Sequence, residues 1–203
     1  KKVIVRVDFN LPYYDGKVSD FTRVEKILPT IKFLLKNKAK VILISHFGRP
    51  KGEKNNEFSL STIKNDIEII LKKKIYFCDD NLKTIRRDKI DNIFENNEII
   101  LMENIRFYLE EIKGDENFSK KIASLGDIYI NECFSVSHRS HSSIVGISKY
   151  LPSFPGMLLE NEIFNLKNLI TTHNSSTIAV FGGSKISTKL KIVEFYLNKF
   201  SKI

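Results

Sequence analysis

Short apolar runs separated by longer amphipathic stretches are the feature that most narrows what this chain can become. Val3–Val7, Val41–Ser45, Ile75–Phe77, Ile99–Met102, Ile128–Ile130 and Thr177–Phe181 are brief, nearly continuous stretches rich in β-branched residues. A strand covered on both faces reads this way; a strand with one face in water would alternate polar and apolar residues. Between these runs, Thr22–Lys36 places Ile27, Ile31, Leu34 and Leu35 on one stripe. Ser61–Lys72 does the same with Ile63, Ile67, Ile70 and Leu71, with Ser59 or Ser61 as its candidate N-cap. Glu116–Leu125 and Leu158–Ile170 are the remaining helix candidates. The alternation predicts an α/β fold: a parallel-sheet, three-layer, Rossmann-like lobe with right-handed crossovers.

With 203 residues the chain exceeds the usual single domain of about 150. The polar stretch Thr171–Ser176 separates the last long helix from the last strand candidate. Residues 1–156 are therefore expected to form a first lobe and residues 157–172 a connecting helix. Residues 173–203 then begin a second, similar lobe, being too few for a domain, which rarely falls below about 50 residues. Lys1-Lys2 runs straight into a strand, and Lys199–Ile203 ends with no tail, so the chain reads as part of a longer one.

A 42% hydrophobic and 28% charged composition is that of a globular chain, not a disordered one. No apolar run reaches the roughly 18 residues of a membrane span, so no membrane partner is expected. Cys78 and Cys133 cannot build a disulfide framework, which points to a reducing interior: the cytoplasm, with an organelle matrix left open. The net charge of +9 admits a nucleic acid, a membrane surface or a small anion as partner. Twenty-six of the 33 basic residues are lysines scattered along the chain, as on a solvated surface. Only seven are arginines, and their placement is the more informative.

Ligands of open α/β sheets bind outside the carboxyl ends of the strands. Just past the strand candidates stand Asp8 and Asn10, then His46 and Arg49, then Arg106, then His138, Arg139 and His141; Arg23 opens the first helix. Four guanidiniums at one rim would repel one another unless an anion lay between them. A small ligand carrying phosphate and carboxylate meets that need, because each arginine offers a planar fork to such oxygens. Asp8 and Asn10, alternate residues at a strand end, could hydrogen-bond a ligand hydroxyl. His138-Arg139-Ser140-His141 invites a metal reading, but zinc needs three or four ligands and no glutamate is recognisably placed to help, so no metal site is expected. Gly182-Gly183 precedes a helix start where backbone N–H groups can approach a phosphate, with Lys185 and Lys189 four apart on that helix. The spacing matches neither the Walker pattern nor G-x-G-x-x-G.

Arg6–Pro12, Ser45–Gly52, Glu103–Phe107, His138–Ser143 and Gly182–Lys185 together resemble phosphoglycerate kinase, in that family's order and spacing over essentially the whole chain. The resemblance implies two α/β lobes joined by a hinge and a long helix. It implies glycolytic phosphoryl transfer between 1,3-bisphosphoglycerate and ADP, giving 3-phosphoglycerate and Mg-ATP, so Mg2+ is expected with the nucleotide. Carried over by motif, Asp8, Asn10 and Arg23 resemble the residues around the carboxylate and hydroxyl end of phosphoglycerate. His46, Arg49, Arg106 and Arg139 resemble the basic patch for its 3-phosphate. Lys189 resembles the lysine that reaches the transferred phosphoryl, making it and Arg23 the expected catalytic pair across the hinge. Gly182, Gly183 and Lys185 resemble the nucleotide-phosphate contacts. The departures are Leu11, Phe47, Glu132, Cys133 and Ser184, none at an expected ligand contact. Most of the nucleotide lobe is missing, so the chain alone is expected to be weakly active or inactive, and monomeric.

Two other classes are suggested by single features. A nucleic-acid-binding module would fit the charge, but the basic residues are diffuse and no compact binding motif is present. A nicotinamide-dependent dehydrogenase would fit the alternation, but the glycine fingerprint and its following acid are lacking. A non-catalytic scaffold built from the first lobe stays open.

Overall fold

The computed structural model describes residues 1–171, Ile178, Val180 and 190–197. It divides into two compact units, Lys1–Glu160 and Asn161–Ile203. In chain order the elements are β1 (Lys2–Arg6), β2 (Tyr13–Tyr14), β3 (Lys17–Val18), α1 (Thr22–Lys36), β4 (Lys40–Ile44), α2 (Ser61–Leu71), β5 (Tyr76–Cys78) and α3 (Arg87–Asn96). There follow β6 (Ile99–Met102), α4 (Leu109–Lys113), α5 (Glu116–Ala123), β7 (Ile128–Asn131), β8 (Ser153–Pro155), α6 (Met157–Thr171) and α7 (Leu190–Leu197).

Six strands form one sheet in the order β5-β6-β4-β1-β7-β8, with every neighbouring pair parallel. Successive residues of a strand point to opposite faces, so one apolar run feeds two cores. Val3, Val5, Val41, Leu43, Ile99 and Leu101 pack with Ile27, Ile31, Ile63 and Ile67 on one side. Ile4, Ile42, Ile44, Ile100 and Met102 pack with Ile90, Phe94, Phe118 and Ile122 on the other. This is the three-layer α/β lobe anticipated, and the strands lie within a residue of their expected positions. The Thr177–Phe181 strand lies outside the described residues apart from Ile178 and Val180.

β2, β3, α3, α4 and β8 were not anticipated. β2 and β3 form a small antiparallel hairpin whose turn residues, Asp15 and Gly16, both have positive φ. α3 buries only Ile90 and Phe94, and β8 is an exposed edge strand ending in Pro155. The expected serine cap of α2 is corrected: Leu60 occupies the N-cap position and makes no side-chain bond there. Glu103, from the end of β6, accepts the Leu60 N–H at 2.9 Å and the Ser59 hydroxyl at 2.7 Å. The carboxylate shares the helix N-terminus with Ser59, whose Oγ accepts the Ser61 N–H at 3.2 Å.

Glu132, just past β7, is used similarly. It is buried and accepts the N–H groups of Leu158 at 3.4 Å and Leu159 at 3.1 Å, together with the Thr30 hydroxyl. The first turn of α6 is thus fixed to the sheet. Among the described residues no helix is long and apolar enough to cross a membrane.

Candidate functional site

Because β6, β4, β1 and β7 are adjacent and parallel, the segments leaving them converge on one rim. Arg49, Lys51, Arg106, Ile112, Arg139 and His141 line a pocket of about 270 Å³ there. Three of the four expected arginines therefore share one hollow. Arg106 is mostly buried, and its guanidinium donates to Gly48 O at 3.1 Å. Burial, then the charges of Arg6, Arg139 and Arg49, lower its proton affinity. Arg23, Arg86 and Arg87 all make salt bridges with carboxylates. Among the described residues Arg49, Arg106 and Arg139 make none, which leaves concentrated positive charge facing the pocket.

Arg23 is the exception among the four, because it does not line this pocket. Its NH1 lies 2.9 Å from Asp8 Oδ1 and donates to Asn10 O at 2.9 Å. Asp8 also accepts the Ser135 hydroxyl at 2.6 Å and the Asn10 N–H at 3.0 Å. Asn10 Oδ1 accepts the Gly48 N–H at 2.8 Å. Gly48 has φ +61°, and a Cβ built on it would lie 2.3 Å from the Phe58 ring. Glycine is required there, in the turn that carries Arg49. Asp8, Asn10 and Arg23 thus form a second polar group, held together before any ligand arrives.

Beneath the pocket lies a layer that motif reading did not separate out. Arg6, the last residue of β1, is fully buried. Its Nε donates to Ser143 Oγ at 2.9 Å, its NH1 to Val7 O, and its NH2 meets His46 Nδ1 at 3.1 Å. Ser143 in turn donates its N–H and hydroxyl to the two oxygens of Glu111, at 2.8 and 2.6 Å. Glu111 is also fully buried, with Oε1 3.5 Å from His141 Nδ1, which has no hydrogen-bond partner. The expectation that no glutamate stands near the His138–His141 segment is therefore corrected. Glu111 reads as a surface residue in Leu109–Lys113, and only the packing of α4 against the Ser142–Gly146 turn turns it inward. His46 is held neutral, far below its ordinary titration range, by burial and then by Arg6, Arg106 and Arg23.

Asp8, His46 and Cys133 bring one oxygen, one ring nitrogen and one sulfur within 4.8 Å of one another. Cys133 therefore does adjoin two expected site residues, correcting the view that the family departures lie clear of the site. The cluster does not suit magnesium, which prefers an octahedral set of oxygens. Burial raises the Cys133 thiol toward its protonated form, and Arg6, Arg23 and Arg106 around His46 oppose a further cation. Gly182, Gly183, Lys185 and Lys189 lie outside the described residues.

Comparison with known proteins adds an independent line. The family model described as phosphoglycerate kinase matches residues 1–203. The phosphoglycerate kinase of Prochlorococcus marinus (strain MIT 9515) is 43% identical over 100% of this chain and 51% of its own length. That of Wolbachia pipientis wMel is 44% identical over 95% of this chain and 48% of its own. Among solved structures, phosphoglycerate kinase from Coxiella burnetii matches with TM-score 0.83 and 32% identity, over 98% of this chain and 50% of that one. The enzyme from Pyrococcus horikoshii OT3 gives 0.85 and 31% over the same shares. The chain spans about half the length of the curated relatives it matches.

Proposed function

The chain belongs to the phosphoglycerate kinase family, and from that premise we propose that it supplies the acceptor-substrate half of a reversible phosphoryl transfer between 1,3-bisphosphoglycerate and ADP. The observation that carries this reading is the convergence of Arg49, Arg106 and Arg139 on one pocket without carboxylate partners. In this reading the 3-phosphate of phosphoglycerate enters that pocket, where guanidinium forks meet its oxygens bidentately. Its carboxylate and hydroxyl extend toward Asp8, Asn10 and Arg23.

Such a site needs no general base, since the attacking group is a carboxylate that is already ionised. Positioning, and neutralising charge on the transferred group, do most of the catalytic work. Arg23 and Lys189 are proposed for that role, with Gly182, Gly183 and Lys185 on the nucleotide; these four glycine and lysine positions rest on motif alone. Magnesium is assigned to no residue here and would arrive with ATP or ADP. The remaining expectations of the family reading, a cytoplasmic glycolytic role, a monomer and the lobe limits 1–156, 157–172 and 173–203, belong to the same proposal.

Titration of the chain with 3-phosphoglycerate tests it. Saturable binding that weakens at least tenfold in Arg106→Ala is expected. No binding by a folded chain, or equal binding by the variant, would remove the reading.

A further inference from the structure

We propose that Glu111 and Ser143 are positioning residues: through Arg6 they hold His46 as a neutral imidazole with its proton on Nε2, so that the layer beneath the pocket keeps a fixed hydrogen-bond donor. The link to ligand affinity rests on the phosphoglycerate reading above; the state of His46 does not.

What each group is able to donate fixes the tautomer. A guanidinium has only N–H donors. Where Arg6 meets His46 Nδ1 at 3.1 Å, that nitrogen must accept. The ring proton is then confined to Nε2, and a doubly protonated ring would set two donors against each other. Arg6 holds this pose because its Nε is fixed on Ser143 Oγ, whose own proton goes to Glu111. The buried cation and the buried anion are thus joined through one hydroxyl and not directly. Ser143 itself is held at three atoms. Its N–H and hydroxyl go to Glu111, and its carbonyl accepts the Tyr129 hydroxyl at 2.7 Å.

Ser143 is presented by a π-helical turn, Ser142–Gly146, an irregularity often found at functional positions. A Cβ on Gly146 would lie 2.0 Å from Ser119 Oγ, so glycine lets the turn seat closely on α5. Other groups face His46 as well: Asp8 and Cys133 within 4.8 Å, the charges of Arg23 and Arg106, and the His141 ring. Among the described residues only Arg6 bonds Nδ1, and it sets the tautomer.

The test is nitrogen-15 NMR of the imidazole groups across pH 5 to 8, with the His46 signal identified by its loss in His46→Gln. The wild-type chain is expected to give the neutral Nε2–H pattern throughout. Ser143→Ala, or Glu111→Gln where the first does not fold, is expected to mix the tautomers and let His46 titrate. The same variants should weaken 3-phosphoglycerate binding about tenfold, as for one charge-assisted hydrogen bond, with Ser143→Thr restoring both properties. A wild-type His46 that titrates or carries its proton on Nδ1 overturns the proposal, as do folded variants with unchanged His46 signals. If the signals change as stated but no chain binds 3-phosphoglycerate, the positioning role stands and the ligand reading falls.

Discussion

Asn10 Oδ1 accepts the Gly48 N–H at 2.8 Å, tying the segment that leaves β1 to the turn that leaves β4. Gly48 O in turn receives Arg106, so one side-chain amide organises contributions from three strands. Asn10→Ala should cost about 1 kcal/mol through the lost hydrogen bond, or roughly 2–4 °C in melting temperature for a chain of this size. Affinity for 3-phosphoglycerate should fall several-fold beyond that, which calorimetric titration of the folded variant would measure.

Salt should separate the arginines. Arg49 and Arg139 are exposed, whereas Arg106 is largely buried. Exposed charges are screened over about 10 Å at 0.1 M salt, and buried ones much less. Each alanine variant should lose at least tenfold in affinity at low salt. Raising the salt should shrink that loss more for Arg49→Ala and Arg139→Ala than for Arg106→Ala.

Arg23 is already engaged by Asp8 and Asn10 and stands apart from the pocket lined by Arg106. In a chain that also carries a complete nucleotide lobe, Arg23→Ala should depress turnover by orders of magnitude with little change in phosphoglycerate affinity. Arg106→Ala should chiefly weaken affinity. Steady-state kinetics in which both variants behave alike would count against the division of roles.

Burial pushes the Glu132 carboxyl above its ordinary range, its hydrogen bonds from Thr30 and the start of α6 notwithstanding. The folded state then binds this proton more tightly than the unfolded state does. The Glu132 contribution to stability is therefore fully present below the ordinary carboxylate range and declines as pH rises through the folded value. Glu132→Gln removes that slope, so the variant should gain on the wild type as pH rises from 4 to 7. Denaturant melts at several pH values would read the difference.

Tyr129→Phe leaves the buried Ser143 carbonyl without its 2.7 Å partner. An unmet buried acceptor costs about 1–3 kcal/mol. The melting temperature should fall by several degrees, with the far-ultraviolet spectrum unchanged.

The sheet was legible because a doubly covered strand writes itself as an unbroken apolar run, as Ile99–Met102 does. β8 was not, because Ser153-Phe154-Pro155 is short, exposed and ends in proline. α3 was obscured by polarity, with only Ile90 and Phe94 to mark its inner face. At the site, Arg49, Arg106 and Arg139 were found because each lies just beyond a strand end. Glu111 was missed because a glutamate beside another glutamate on a short helix carries no local sign of burial. Arg6 carried a faint one, as the only charge in Val3–Val7. Cys133 and His46 meet Asp8 only through the adjacency of β1, β4 and β7, which no local spacing records.

The bond between Arg6 and Ser143 joins positions 137 residues apart. On the ribosome the first strand is made long before its hydroxyl partner, and domains generally fold as units during synthesis. Until Ser143 emerges from the exit tunnel, a central strand ends in a cation with no route to Glu111, so the Arg6 layer is expected to close only after residue 143 has been made.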